Sequence, residues 1–232
     1  MTQPALLICI IGIDGSGKTT QARLLVDWLT SQNIKAKYIW SRGEVRTLRR
    51  IFLSIGRKAL GTSSRKIAND IESSHHYQSR KSRLMKIPFV RILWSISTYI
   101  EHIVQINVDI RPKLQDGYCV VCDRYFWDSN VDLAVLNNMD PERLSSKLNR
   151  FMWKLIPKPD ITFVIDIPPA EAQKRKDDIP SLEYVKKRAE LYRYLAKCYS
   201  LIEIDGQRDV TTINTEVIES VIKYKGEYRC PD

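Results

Sequence analysis

Ala5-Leu-Leu-Ile-Cys-Ile-Ile-Gly12-Ile-Asp-Gly-Ser-Gly17-Lys18-Thr19-Thr20 is the stretch on which the fold turns. An apolar run rich in β-branched residues breaks at Gly12 and passes into a helical pattern. The match to G-x-x-x-x-G-K-[ST] therefore falls between a strand and a helix, the setting a phosphate-binding loop requires. Gly12, Gly15 and Gly17 let the backbone around Asp14 and Ser16 wrap closely enough for its N–H groups to point inward, and the helix opening at Lys18, Thr19 and Thr20 adds its positive end. In such a loop Lys18 reaches the β- and γ-phosphates, and the Thr19 hydroxyl can ligate Mg²⁺.

Working outward, a chain of 232 residues with 44% apolar content is large enough to bury one sizeable core. We expect a single domain over residues 1–224 and a loose tail over 225–232. No basic segment precedes the first apolar run, which reads as a strand rather than a signal peptide. Together with five cysteines, this points to a reducing, cytoplasmic setting. Cys119 and Cys122 form a C-x-x-C, but a separation of three within a strand turns the two thiols to opposite faces, which favours structural thiols over a metal site.

The net charge of +10 is concentrated. Residues 42–91 carry 13 Lys/Arg against Glu44, Asp70 and Glu72, so this segment alone accounts for the excess. It suits an anionic partner, whether nucleotide phosphate, acidic lipid or nucleic acid, or else a solvated helical face. Val45, Leu48, Ile51, Phe52, Ile55 and Ala59 fall on one face of a basic amphipathic helix, and a second basic helix is expected from about Ile67 to Leu84. Packing over an acceptor site and docking at an anionic surface are both open to this region.

The rest of the chain alternates strand and helix. Strands are expected at Lys35–Trp40, Tyr118–Cys122, Ile161–Asp166 and Leu201–Asp205. A buried helix should begin near Pro88 and end about Pro112, interrupted by too many charges to span a bilayer. Asp140-Pro141-Glu142 supplies N-cap, first-turn proline and first-turn acid for a helix to about Leu155. Pro168-Pro169 opens another, residues 174–181 form a charged excursion, and helices follow over Leu182 to about Tyr199 and Val210 to about Lys223. This alternation implies a parallel five-stranded sheet with helices on both faces.

Four collinear stretches then carry a family resemblance: Gly12 to Gln21; Ile110-Arg-Pro-Lys-Leu with Val121-Cys-Asp123-Arg124-Tyr125; Pro159 to Pro169 with Arg175; and Ile204-Asp205-Gly206. Together they resemble the thymidylate kinase family of P-loop nucleoside monophosphate kinases. The resemblance implies a P-loop kinase three-layer α/β fold, ATP and Mg²⁺, a homodimer, and phosphoryl transfer to a nucleoside monophosphate, dTMP above others. By motif, Asp14 would approach the acceptor sugar, Lys18 and Thr19 would hold ATP and Mg²⁺, and Asp123 would lie beside the metal. Arg124 would bridge donor and acceptor phosphates, and Arg175 would reach ATP from a lid at about 174–181. Charge neutralisation and in-line positioning are what a loose phosphoryl transition state needs.

The departures gather on the acceptor side, in a basic helical region at about 42–91 and just beyond it. The family's Arg-Glu-Pro becomes Arg42-Gly43-Glu44, its Asp-Arg pair becomes Glu101-His102, and its Ser and Tyr-Gln near the base become Asp128 and Asp132-Leu133. Arg42, His102 and Asp128 remain candidate acceptor ligands. Asp128 or Asp132 would alternatively act as general base if the acceptor were a nucleoside, sugar or lipid-linked hydroxyl. A non-catalytic ATP-binding module is the third reading. His75-His76 lies in a polar, Ser-rich stretch and is a weak metal candidate.

Overall fold

A computed structural model describes residues 5–42, 88–142, 152–176 and 181–227. The chain divides into two compact units, one of residues 1–42 with 103–232 and the other of residues 43–102.

In the first unit, β1 (Leu7–Ile11), β2 (Ala36–Trp40), β3 (Cys119–Asp123), β4 (Ile161–Asp166) and β5 (Ile202–Asp205) form one sheet in the order β2-β3-β1-β4-β5. Every pairing is parallel, as the alternating pattern predicts. β1 lies at the centre, with Ile8 paired to Val121 on one side and Ile161 on the other. The order reverses there, and loops leaving the carboxyl ends of β1, β3 and β4 converge on the crevice where such sheets hold ligands.

Continuous apolar runs form β1, β3 and β4 because both faces are covered. Ile8, Ile10, Val121 and Phe163 pack with Leu25 and Leu29 of α1 (Lys18–Ser31) and with Val217 and Val221 near the C-terminus. On the other face Ile11 and Val164 meet Trp127, Val131, Ala189, Tyr192 and Leu195. Cys119 joins the first cluster and Cys122 lies against Cys9, so the two thiols of the C-x-x-C do face opposite ways. The described cysteines are free.

Several boundaries differ from the expectation. The long helix is α2 (Pro88–Gln105), followed by one π-helical turn (Ile106–Ile110) and α3 (Arg111–Gln115). Pro112 opens α3 instead of ending its predecessor, since a first-turn proline gives up no intrahelical bond. Nor is α2 a buried helix. Only Ser97 and His102 are buried on it, while Phe89, Ile92, Ile96, Ile100 and Val104 form an exposed apolar stripe at three- and four-residue spacing.

Downstream lie α4 (Phe126–Leu136), α5 (Pro169–Arg175), α6 (Leu182–Tyr199) and α7 (Val210–Glu227). Of the helix expected from Asp140 to about Leu155, Pro141 and Glu142 form a short helical turn, Met152 is helical and Trp153 to Leu155 form turns; the stretch between lies outside the described residues. Leu201 is not in β5 because its N–H closes α6 on Ala196, at 2.9 Å. α7 runs past Lys223 into the expected tail, with Tyr224 packed on the core. The two basic helices, His75-His76, residues 143–151, 177–180 and the end of the tail lie outside the described residues. Among the described residues no helix is long and apolar enough to cross a membrane.

Candidate active site

The phosphate loop is shaped by what its glycines allow. Gly12 has φ +146°, and a Cβ there would lie 2.5 Å from the Ile165 carbonyl oxygen. Gly15 has φ +84°, and its Cβ would meet the Ala172 carbonyl of α5 at 2.8 Å. The loop is therefore clamped between the end of β4 and α5, with no room for side chains at either position. Gly17, also left-handed, caps α1.

Inside this wrap Lys18 is 4% exposed. Its Nζ donates to the Ile13 carbonyl at 2.8 Å and lies 3.8 Å from Asp14. Burial, reinforced by the nearby Arg124 charge, brings its ammonium down to about 8 despite Asp14. Such a cation gains most when an anion arrives. The Ser16 hydroxyl is buried without a hydrogen-bond partner, a polar group left open towards the same cradle. Thr20 is exposed in the first turn of α1.

At the end of β3, Asp123 Oδ2 accepts from Thr19 Oγ1 at 2.5 Å and from Tyr38 Oη at 3.0 Å. Its Oδ1 is buried with no partner. A hydroxyl beside a carboxylate with one open oxygen is a hard-oxygen donor set that fits Mg²⁺, which keeps water and phosphate oxygens for its remaining positions. The Tyr38 hydroxyl is pushed up to about 12 by burial and by the Asp123 charge, so it stays a donor.

The neighbouring Arg124 has φ +71°, a left-handed conformation that is unfavourable for a bulky side chain by about 1 kcal/mol. Its N–H donates to Ile10 at 3.0 Å, which holds the turn against the central strand. The guanidinium donates to Asp14 through Nη2 and to Asp128 Oδ1 through Nη1, the latter at 3.1 Å. Burial opposes the charge on the guanidinium, but the carboxylates on either side keep Arg124 firmly protonated. Burial likewise pushes the Asp14 carboxyl upward, and Arg124 with Lys18, Arg188 and Arg42 overrides it, holding the group well below the usual range.

Asp128 is fully buried. As the third residue of α4 it reaches back to accept the Tyr125 N–H at 3.0 Å, half of a capping box. Its other oxygen accepts from Arg124 and from Tyr192 Oη at 2.6 Å. With three donors and no exposure it is not arranged as a general base or a direct acceptor ligand; the expectation gives way because helix capping claims the carboxylate. Arg42 lies at the end of β2, half-exposed, 3.7 Å from Asp132.

Arg175 ends α5 and is exposed. It pairs with Glu171 at 3.2 Å and donates to the Gly206 carbonyl at 3.2 Å, joining two of the motif stretches at the β5 turn. His102 belongs to the unit of residues 43–102 and is fully buried on α2. The first unit thus brings together Asp14, Ser16, Lys18, Thr19, Asp123, Arg124 and Asp128, with Arg42 tied in through Asp132.

Sequence reasoning missed Arg188, Tyr184, Tyr192 and Tyr38. Arg188 is 1% exposed and donates to Asp132, to Tyr184 Oη at 3.0 Å and to Tyr192 Oη at 3.2 Å. A signal was present: Tyr184, Arg188 and Tyr192 recur every four residues, and Asp128 and Asp132 share the same spacing on another helix, so each set lies on one face.

A parallel sheet in this order, a phosphate loop after its central strand and a carboxylate–arginine pair ending β3 define a P-loop kinase. A family model described as thymidylate kinase matches residues 62–223, more than half of the chain. Curated relatives include a probable thymidylate kinase of Thermococcus kodakarensis, 27% identical over 96% of this chain and all of that protein. The thymidylate kinase of Plasmodium falciparum is 26% identical over 93% of this chain and 89% of its own, and that of Rickettsia typhi 28% over 81% and 78%. The chain belongs to the thymidylate kinase family and, with it, to the enzymes that use ATP as phosphoryl donor.

Proposed function

We propose that this enzyme transfers the γ-phosphoryl group of ATP to dTMP, yielding dTDP, with Mg²⁺ as cofactor. The observation that carries the reading is the linkage of the phosphate loop to the end of β3: Thr19 to Asp123 on one strand-end residue, Asp14 to Arg124 on the next. Donor-side and bridging groups are held in one constellation by the chain's own contacts, as electrostatic stabilisation of phosphoryl transfer requires. Thr19 and Asp123 would hold Mg²⁺, which would supply charge neutralisation at the phosphates. Lys18 binds the β- and γ-phosphates in the loop of Gly12, Gly15, Ser16 and Gly17, and Thr20 opens the helix behind it. Arg124, on its Asp128 pivot, exchanges its Asp14 contact for phosphate oxygens, and Arg42 takes the acceptor phosphate from the end of β2. Arg175, beside the β5 turn, faces the ATP side.

We read residues 1–224 as one kinase domain whose basic segment serves the acceptor; His102, fully buried on α2, is left out of the direct contacts. The exposed apolar stripe of α2 is of a kind that a second copy would cover, supporting a homodimer, and the free thiols support a reducing cytoplasmic setting. Asp128 is held by three donors and Asp132 is paired with Arg188 and Arg42, which supports a phosphate acceptor over a hydroxyl one. The test is ADP release from ATP and Mg²⁺ against a panel of nucleoside monophosphates, nucleosides and sugar alcohols, with Lys18→Ala as control. Stimulation by dTMP above the other compounds is expected; stimulation only by hydroxyl compounds, or by none, overturns the reading.

A further inference from the structure

Asp128 and Asp132 stand one turn apart on the same face of α4, where two negative charges repel. Asp128 is fully buried and the Asp132 side chain is 27% exposed. Each holds an arginine expected to meet phosphate: Asp128 accepts from Arg124 at 3.1 Å, and Asp132 lies 3.7 Å from Arg42. Between the two carboxylates sits the guanidinium of Arg188, brought in from α6.

Its contacts have a direction. Arg188 can only donate, so the Tyr192 hydroxyl, which accepts from Nη2 at 3.2 Å, has its own proton turned to Asp128 Oδ1, at 2.6 Å. That is the oxygen on which Arg124 rests. Nη1 donates to Asp132 Oδ1, leaving Oδ2 for Arg42. The guanidinium lies 5.5 Å from the Tyr184 ring centre and 5.8 Å from that of Tyr192, which restrains its plane. Buried to 1% exposure and engaged on both terminal nitrogens, Arg188 is placed to act through these partners and not on a substrate.

We propose that Arg188 is a positioning residue for both acceptor-side arginines, acting on Arg124 through Tyr192 and Asp128 and on Arg42 through Asp132. The proposal rests on the kinase reading above. Tyr192→Phe removes one arm with little change of shape and should lower kcat about tenfold while leaving KM for dTMP within about twofold, the mark of an interaction made in the transition state. Asp132→Asn loosens the other arm and should raise KM for dTMP about tenfold with a smaller change in kcat. Arg188→Met should show both effects, Arg188→Lys should restore part of them, and KM for ATP should hold throughout. Guanidinium Nε–Hε spectra, with Arg124 and Arg42 assigned by substitution, report the same positioning without substrate: both signals should move in Arg188→Met, and only that of Arg124 in Tyr192→Phe. Thermal unfolding confirms that each variant is folded. Identical kinetic effects of Tyr192→Phe and Asp132→Asn, or unmoved Arg124 and Arg42 signals in folded Arg188→Met, overturn the proposal. Should wild-type protein turn over no nucleoside monophosphate, the kinase reading fails on its own and the spectra alone decide this one.

Discussion

The phosphate loop and the arginine system of α4 and α6 both prepare a place for anionic phosphate, and they do so by opposite means. From Gly12 to Thr19 the work is done by one contiguous segment, whose glycines bend the backbone and whose Lys18 lies 2.8 Å from a carbonyl five residues earlier. Arg42, Arg124 and Arg188 come from the ends of β2 and β3 and from α6, and are held by side chains of α4 and α6. The first is local geometry and tolerates little substitution at fixed positions. The second is a network of pairwise contacts, and its members can be exchanged if their charges still balance. A loop of the first kind suits what every ATP shares; a network of the second suits an acceptor side that varies.

The comparison can be broken most directly at Lys18. Lys18→Ala should lower kcat about 10³-fold, the scale for removing a charge-stabilising group from a preorganised site, as measured by steady-state ADP release. A loss below tenfold would mean that the side-chain network, rather than the loop, carries the donor chemistry.

The next effect is on stability. Gly15→Ala combines a left-handed backbone with a Cβ placed 2.8 Å from the Ala172 carbonyl, and should cost about 3 kcal/mol in urea unfolding. Gly17→Ala faces nothing within 4 Å at φ +91° and should cost only about 1 kcal/mol, from backbone conformation alone. Equal costs at the two positions would show that the clamp between loop and α5 is not what shapes the loop.

Smaller again is Tyr38→Phe, which removes one of the two donors to Asp123 Oδ2. The expected result is about a tenfold rise in the Mg²⁺ concentration for half-maximal activity, the lower end for losing a partner behind a metal ligand. No change would place Tyr38 outside the site.

The smallest effect is a pH dependence. Lys18 is lowered to about 8 in the fold, against about 10.4 in an unfolded chain. Between those values the unfolded state binds more protons, so this group makes stability rise with pH, by up to about 1 kcal/mol per pH unit. Subtracting the unfolding free energies of Lys18→Met from those of wild type across pH 7 to 10 should expose that slope; a flat difference would mean that the loop lysine is not desolvated.

Much of this was readable in the chain. The strand order's parallel character followed from alternating elements, and the loop from spacing alone, because both depend on residues close in sequence. Asp123 and Arg124 were readable as a dipeptide ending a strand. The role of Asp128 was misread: a carboxylate three residues into a helix can cap the backbone or face a substrate, and only the burial of α4 decided between them. Arg188 drew no reading from the sequence, although Tyr184 and Tyr192 flank it one turn on either side. On α2 the apolar-rich composition predicted a buried helix and was wrong, since apolar residues that share one helical face say nothing of whether anything covers that face.

By itself, then, the sequence determined what short-range geometry dictates: the phosphate loop, the strand–helix alternation and the pair that ends β3, because a few neighbouring dihedrals and side chains suffice for each. Tertiary structure alone decided which carboxylate receives which arginine. Arg188 and Asp132 are 56 residues apart, Tyr192 and Asp128 are 64, and the charge balance that makes their burial tolerable exists only once the sheet has brought α4 and α6 side by side.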